Sequence, residues 1–365
     1  MNIGILTYYN VHNHGALLQA YALQTVLENM GNTVEFLTFN RNYDYIPAGN
    51  EKKYQLSPSS IPFFLKYLKK NGAGTFYYNY LKRKGLNKFR GISLKIGARY
   101  SDSQADTVIV GSDEVFSADV GVNPFFYGHC LGKKRVFSYA ASFGQTDTEL
   151  IDRIGCRELI SSGLNTMTAV GVRDENSYNT AAALSDKTPE LLCDPVLLYG
   201  YEKELKDMDC RVGEKPYILV YSYDKNMNDS GEVGKIKAFA RQRGFEIHSV
   251  GYYHKWCDKN ISVSPIELLR RFKNAEFVIT DTFHGSVLSI TVNAPFAAML
   301  RGNGNKLEFL LKQHGLSNRI VSDFSELERV FGEKIDFNAV NDIVLQNRKK
   351  AIEFLNRNLK EDSDD

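Results

Sequence analysis

NIGILTYYNVHNHGALLQAYALQTVLENMGNTVEFLTF, residues 2–39, decides the fold class. Asn2–Thr7 is a short apolar run that reads as a strand. Ala16–Met30 has apolar residues at helical spacing and is closed by Gly31, and Thr33–Phe39 reads as a second strand. Strand, helix, strand is the opening of a βαβ unit, which makes the sheet parallel. The alternation continues with Thr107–Val110, Arg135–Ser142, a helix near Asp147–Ser162, Met167–Val172 and a helix over Glu175–Leu184.

A second series starts near Lys215: Tyr217–Tyr223, a helix around Gly231–Arg243, Phe245–Val250, and a helix after Ser264-Pro265-Ile266-Glu267. That tetrapeptide predicts a capping box with Pro at the first helical position. Strand Ala275–Thr280, helix Ser286–Val292 and strand Pro295–Leu300 follow. The expected fold is α/β: two Rossmann-like domains, 1–200 and 201–335, with a cleft between their strand C-termini, then a C-terminal helix and acidic tail over 336–365.

With 43% hydrophobic and 24% charged residues, the 365-residue chain can bury a full core. Its N-terminus lacks a charged n-region and a long apolar stretch, so a cytoplasmic location is expected. Five scattered cysteines suggest neither disulfides nor zinc, and no metal is expected. Net charge is +2, yet Lys52–Arg99 holds twelve Lys or Arg and no Asp or Glu, interleaved with aromatics that include Phe63, Phe64, Tyr67, Phe76, Tyr77, Tyr78, Tyr80 and Phe89. This insertion, 52–99, suits peripheral contact with an anionic membrane, which is preferred over RNA. No nucleic-acid partner is expected, and the plain alternative is a solvated helical insertion whose aromatics pack on the main body.

Candidate site residues sit where strands end. Asp281, Thr282, His284, Gly285 and Ser286 lie at a strand-to-helix handover, where free N–H groups face an anion and His284 can move a proton; loop histidines in such places are also often structural. Asn13, His14 and Gly15 end the first loop, with a simple cap at Asn13 as the alternative. Ser112 and Asp113 follow the buried strand TVIV and are read either as functional groups or as caps. Arg173 is placed to fork onto a carboxylate or phosphate, Arg301 starts a basic loop that can clamp an anion, and Cys193-Asp194-Pro195 reads as mainly structural.

In order, NHGALLQAYALQ (13–24), VIVGSDEVF (108–116), YAASFG (139–144), VGVRDE (170–175), CDPVLL (193–198) and TDTFHG (280–285) resemble the polysaccharide pyruvyl transferase family over nearly the whole chain. The resemblance implies a GT-B-like pair of Rossmann-type domains. It also implies transfer of a pyruvyl group from phosphoenolpyruvate, as donor substrate without a cofactor, to sugar hydroxyls of a glycan acceptor that is lipid-linked or nucleotide-linked. On that reading Arg173 and Arg301 bind the donor, His284 is the acid, and Asp113 or Asp281 is the base. One departure stands out: the family pattern has an arginine two positions before the histidine, where this chain has Thr282, which passes donor binding to Arg301 or Lys306. The competing expectations are a GT-B glycosyltransferase using a nucleotide sugar and a non-catalytic glycan- or membrane-binding module.

Overall fold

The computed structural model describes residues 1–39, 61–119 (backbone only over 61–71), 121–132, 134–206, 215–302 and 304–360. The start of the basic insertion before residue 61, the side chains of Phe63, Phe64 and Tyr67, and the acidic end of the tail lie outside what is described. Seven strands form the first sheet: β1 (Asn2–Leu6), β2 (Thr33–Thr38), β3 (Ile96–Arg99), β4 (Thr107–Val110), β5 (Arg135–Ala141), β6 (Val170–Val172) and β7 (Glu190–Leu191). Six form the second: β8 (Tyr217–Tyr221), β9 (Glu246–Val250), β10 (Lys259–Ile261), β11 (Phe277–Thr280), β12 (Phe296–Met299) and β13 (Ile320–Val321).

Strand orders are β3-β2-β1-β4-β5-β6-β7 and β10-β9-β8-β11-β12-β13, and the paired strands are parallel. In each sheet the direction of winding reverses beside the first strand, between β1 and β4 and again between β8 and β11. Ligands of doubly wound folds bind outside the strand C-termini at that reversal. The segments that follow those strands carry Asn13, Asp113, Tyr223 and His284.

Local chemistry explains the elements. The helix His14–Asn29 is buried on most sides because it lies between the domains, and its first turn is capped by Asn13 Oδ1, which accepts from the N–H groups of Gly15 and Ala16. Two predicted elements differ. The helix expected near Asp147–Ser162 is two helices, Thr148–Arg153 and Arg157–Thr166, separated where Gly155 takes φ +71°. The expected capping box is half formed: Ser264 Oγ accepts from Glu267 N–H, but the Glu267 carboxylate turns to Arg270 and Arg271.

One hydrophobic core runs from the first sheet into the second. The C-terminal helix, Phe337–Leu359, returns to the first sheet, where Phe354 meets Phe137 and Tyr139 of β5 and Arg348 Nε donates to the Leu197 carbonyl. The domain seam is also bonded directly: His14 Nε2 meets the Val263 carbonyl at 3.0 Å, and Lys82 Nζ donates to the Gly251 carbonyl at 2.7 Å.

Candidate active site

A cavity of about 330 Å³ opens at the two strand-order reversals, lined from the first domain by Tyr8, Asn13, Asp113 and Arg173 and from the second by Tyr223, Phe283, His284 and Lys306, among others. Arg173 leaves the end of β6 and is almost wholly buried. Its Nη1 donates to Asp194 Oδ2 at 3.1 Å, its Nη2 to Asp113 Oδ1 at 3.3 Å, and its guanidinium lies 4.7 Å from the centre of the Phe283 ring. Two carboxylates and a ring face thus fix the guanidinium, the arrangement that suits a planar, permanently charged fork.

His284 stands in the first turn of the helix Phe283–Thr291. Its Nε2 lies 3.9 Å from Asp194 Oδ2, beyond hydrogen-bond range, and has no hydrogen-bond partner among the described residues. Burial pushes its pKa below the ordinary histidine value, against the pull of Asp194 and Asp113; Arg173 and Lys306 push the same way as burial. The imidazole is therefore neutral at neutral pH. Burial would raise the Asp113 carboxyl, but Arg173, then His284 and the Glu114 N–H, hold it below the usual carboxylate value. Asp113 is thus ionised and faces the cavity. Tyr223 is pushed up to about 12 by burial and by the nearby Glu114 and Asp113 carboxylates, so its hydroxyl stays protonated.

The other sequence-predicted residues take different places. Thr282 is the helix N-cap, with its Oγ1 accepting from Gly285 N–H at 2.9 Å and lying 3.1 Å from Thr280 Oγ1; buried and engaged, it does not line the cavity. Gly285 packs on the strand before it, where a Cβ would come within 2.0 Å of Thr280 Oγ1. Ser286 is fully buried. Asp281 and Arg301 turn toward each other at 3.6 Å, and Arg301 also pairs with Glu232 while Asp281 accepts from Asn226; neither lines the cavity. Ser112 Oγ donates to Gln19 in the interior, and His14 is spent on the domain seam. Asn13 is both the helix cap and a cavity wall.

Two groups carry more than the sequence suggested. Asp194, read as structural, does cap the helix Pro195–Tyr199 through Val196 N–H, yet its other oxygen holds Arg173 beneath His284. Lys306, on the helix Gly304–Gln313, pairs with Glu114 across the cleft and lies 5.8 Å from the Phe283 ring centre. Among the described residues no group of three or more His, Cys, Asp or Glu is placed to hold a metal.

The model of the family described as polysaccharide pyruvyl transferase matches residues 13–303, a span that contains Asn13, Asp113, Arg173, Asp194 and His284. The chain belongs to that family. No curated protein matches this pyruvyl transferase family member in sequence. Its architecture is shared with solved structures: UDP-GlcNAc 2-epimerase of Methanocaldococcus jannaschii in complex with UDP-GlcNAc and UDP (13% identity, TM-score 0.52, 95% of this chain and 99% of that one). A putative UDP-N-acetylglucosamine 2-epimerase of Listeria monocytogenes shares it at 9% identity and TM-score 0.53, over 99% of this chain and 98% of that one. Arabidopsis thaliana UGT89C1 complexed with UDP-L-rhamnose does so at 10% identity and TM-score 0.50, over 97% and 94%. These likenesses concern the fold alone, and that fold is GT-B.

Proposed function

We propose that this chain, acting in the cytoplasm, transfers a pyruvyl group from phosphoenolpyruvate to two hydroxyls of a cell-surface polysaccharide precursor and forms a pyruvate ketal. The observation that carries the reading is the pairing, in one cavity, of an unbonded His284 ring nitrogen with two fixed cations, Arg173 and Lys306, and an ionised Asp113. Phosphoenolpyruvate brings a phosphate and a carboxylate. Their negative charge favours the imidazolium, so His284, otherwise neutral, gains a proton as the donor arrives.

The charged ring then protonates the methylene carbon while Asp113 takes the proton of the first sugar hydroxyl, whose oxygen bonds to the neighbouring carbon. The C–O bond to phosphate breaks, the departing phosphate carries away the proton held by Asp113, and the second hydroxyl adds at the same carbon to close the ketal, its proton restoring the one His284 gave up. Arg173 and Lys306 balance the charge of the donor throughout.

Calorimetric titration with phosphoenolpyruvate, with nucleotide sugars in parallel, tests the reading on wild type, Lys306→Ala and His284→Asn. Phosphoenolpyruvate binding that weakens in Lys306→Ala is expected. Binding of a nucleotide sugar with none of phosphoenolpyruvate overturns the assignment.

A further inference from the structure

The helical segment Ile61–Ser93 is broken at Gly72, where φ is 78°, and the part that follows is two-sided over its described side chains. Thr75, Tyr78, Lys82, Leu86 and Phe89 recur at three- and four-residue intervals and are buried. This inner face docks on the second domain: Tyr78 OH donates to the Ile261 carbonyl, and Lys82, which also lies over the Tyr252 ring, to that of Gly251.

The outer stripe has a different composition. Tyr77 is 63% exposed, Tyr80 57% and Ile92 74%, with Phe76 exposed beside them. Of the seven large hydrophobic residues exposed among those described, five fall between Phe76 and Ile96. Arg83, Lys84 and Lys88 are interleaved with them on the same stripe, and none of the three makes an ion pair among the described residues. Residues 72–99 contain no carboxylate at all. Apolar side chains clustered on one solvent-facing helix stripe mark an interaction surface, and unneutralised cations among aromatics select a partner that is apolar beneath an anionic skin.

We infer that this stripe seats the enzyme on the anionic surface of a lipid bilayer. Its position has a use. Asn87 bonds to His12 and Arg90 to Asn10, so the helix that meets lipid is tied to the loop that forms one wall of the cavity. A lipid-borne substrate would be met beside the catalytic groups. No helix among the described residues is long and apolar enough to cross a membrane, so the contact is peripheral.

The test is flotation of the full-length protein with vesicles of phosphatidylcholine alone or with one quarter phosphatidylglycerol, at low and raised salt. Two variants are compared: Arg83→Glu/Lys84→Glu/Lys88→Glu and Tyr77→Ser/Tyr80→Ser. All substituted side chains are exposed, so the fold and phosphoenolpyruvate binding should persist, which keeps this outcome separate from that of the donor assignment. Binding is expected only to the anionic vesicles, to fall with salt, to drop on the order of a hundredfold in the charge variant, and to weaken in the aromatic variant at low salt. Absence of binding, equal binding to both vesicle types, or unchanged binding in the variants overturns the inference. So does tighter binding of a single-stranded RNA oligonucleotide, measured by anisotropy, through the same side chains.

Discussion

The His284 ring rests directly on Gly15: a Cβ added at residue 15 would lie 2.3 Å from Cγ of the imidazole. The second domain's His284, the proposed acid, is thus seated in a notch at the start of the first domain's leading helix. Gly15→Ala is expected to push the ring out of register. A shift of about 1 Å costs roughly a hundredfold in turnover, while the overpacking itself costs about 1–3 kcal/mol of stability. Steady-state kinetics beside phosphoenolpyruvate titration would check this; full turnover in a folded Gly15→Ala protein would mean that the ring's position does not matter.

His284→Asn keeps the ring's approximate volume and removes the titrating group. Turnover should fall by roughly a hundredfold or more, beyond whatever donor affinity is lost with the imidazolium, since the loss is of a proton carrier. A variant that retains wild-type turnover would assign proton transfer to another group.

The ion pair between Glu114 and Lys306 joins the domains across the cavity and occupies the lysine proposed to meet the donor phosphate. Glu114→Gln should free that ammonium and tighten phosphoenolpyruvate binding by roughly three- to tenfold, whereas Lys306→Ala should weaken it by about tenfold or more. Equal affinity in wild type and Glu114→Gln would show that the pair does not compete with donor.

Arg173 has a structural task as well. Removing it leaves Asp113 and Asp194 facing each other's charge in a buried place, so Arg173→Ala should destabilise the fold by about 3–5 kcal/mol. Thermal unfolding would register this, and Arg173→Lys, which keeps the charge, should recover part of the stability but not the two-pronged geometry.

The parallel sheets, the strand-end positions of Asp113, Arg173 and His284, and the Asn13 cap were legible because each depends on local pattern: apolar period, loop position, cap chemistry. Asp194 was half legible, because a cap is read from neighbours in sequence but its second oxygen serves an arginine twenty-one positions earlier. Asp281 and Arg301 looked like site residues because they follow adjacent strands, yet adjacency is also what lets them satisfy each other away from the cavity. The two faces of the basic helix were invisible for a similar reason. Composition counts cations and aromatics, whereas only docking decides which of them, Tyr78 and Lys82 for instance, turn inward.

His14 gives the seam between the domains a pH dependence. The ring is buried with Nε2 on the Val263 carbonyl, and burial, opposed by that bond and aided by Lys82, pushes its pKa down to about 4 from an unfolded value of 6.5. Between those values the unfolded chain binds a proton that the folded chain refuses. The contribution of His14 is therefore whole above pH 6.5, shrinks as the pH falls, and bottoms out near pH 4, a change of about 3 kcal/mol. Asn at this position can still donate to the carbonyl but does not titrate. Urea unfolding at pH 7.5, 5.5 and 4.5 should show wild type losing about 2.5 kcal/mol more than His14→Asn across that range. The other buried histidines titrate in both proteins and cancel in the difference. Parallel pH profiles for the two would place the acid sensitivity elsewhere than at the seam.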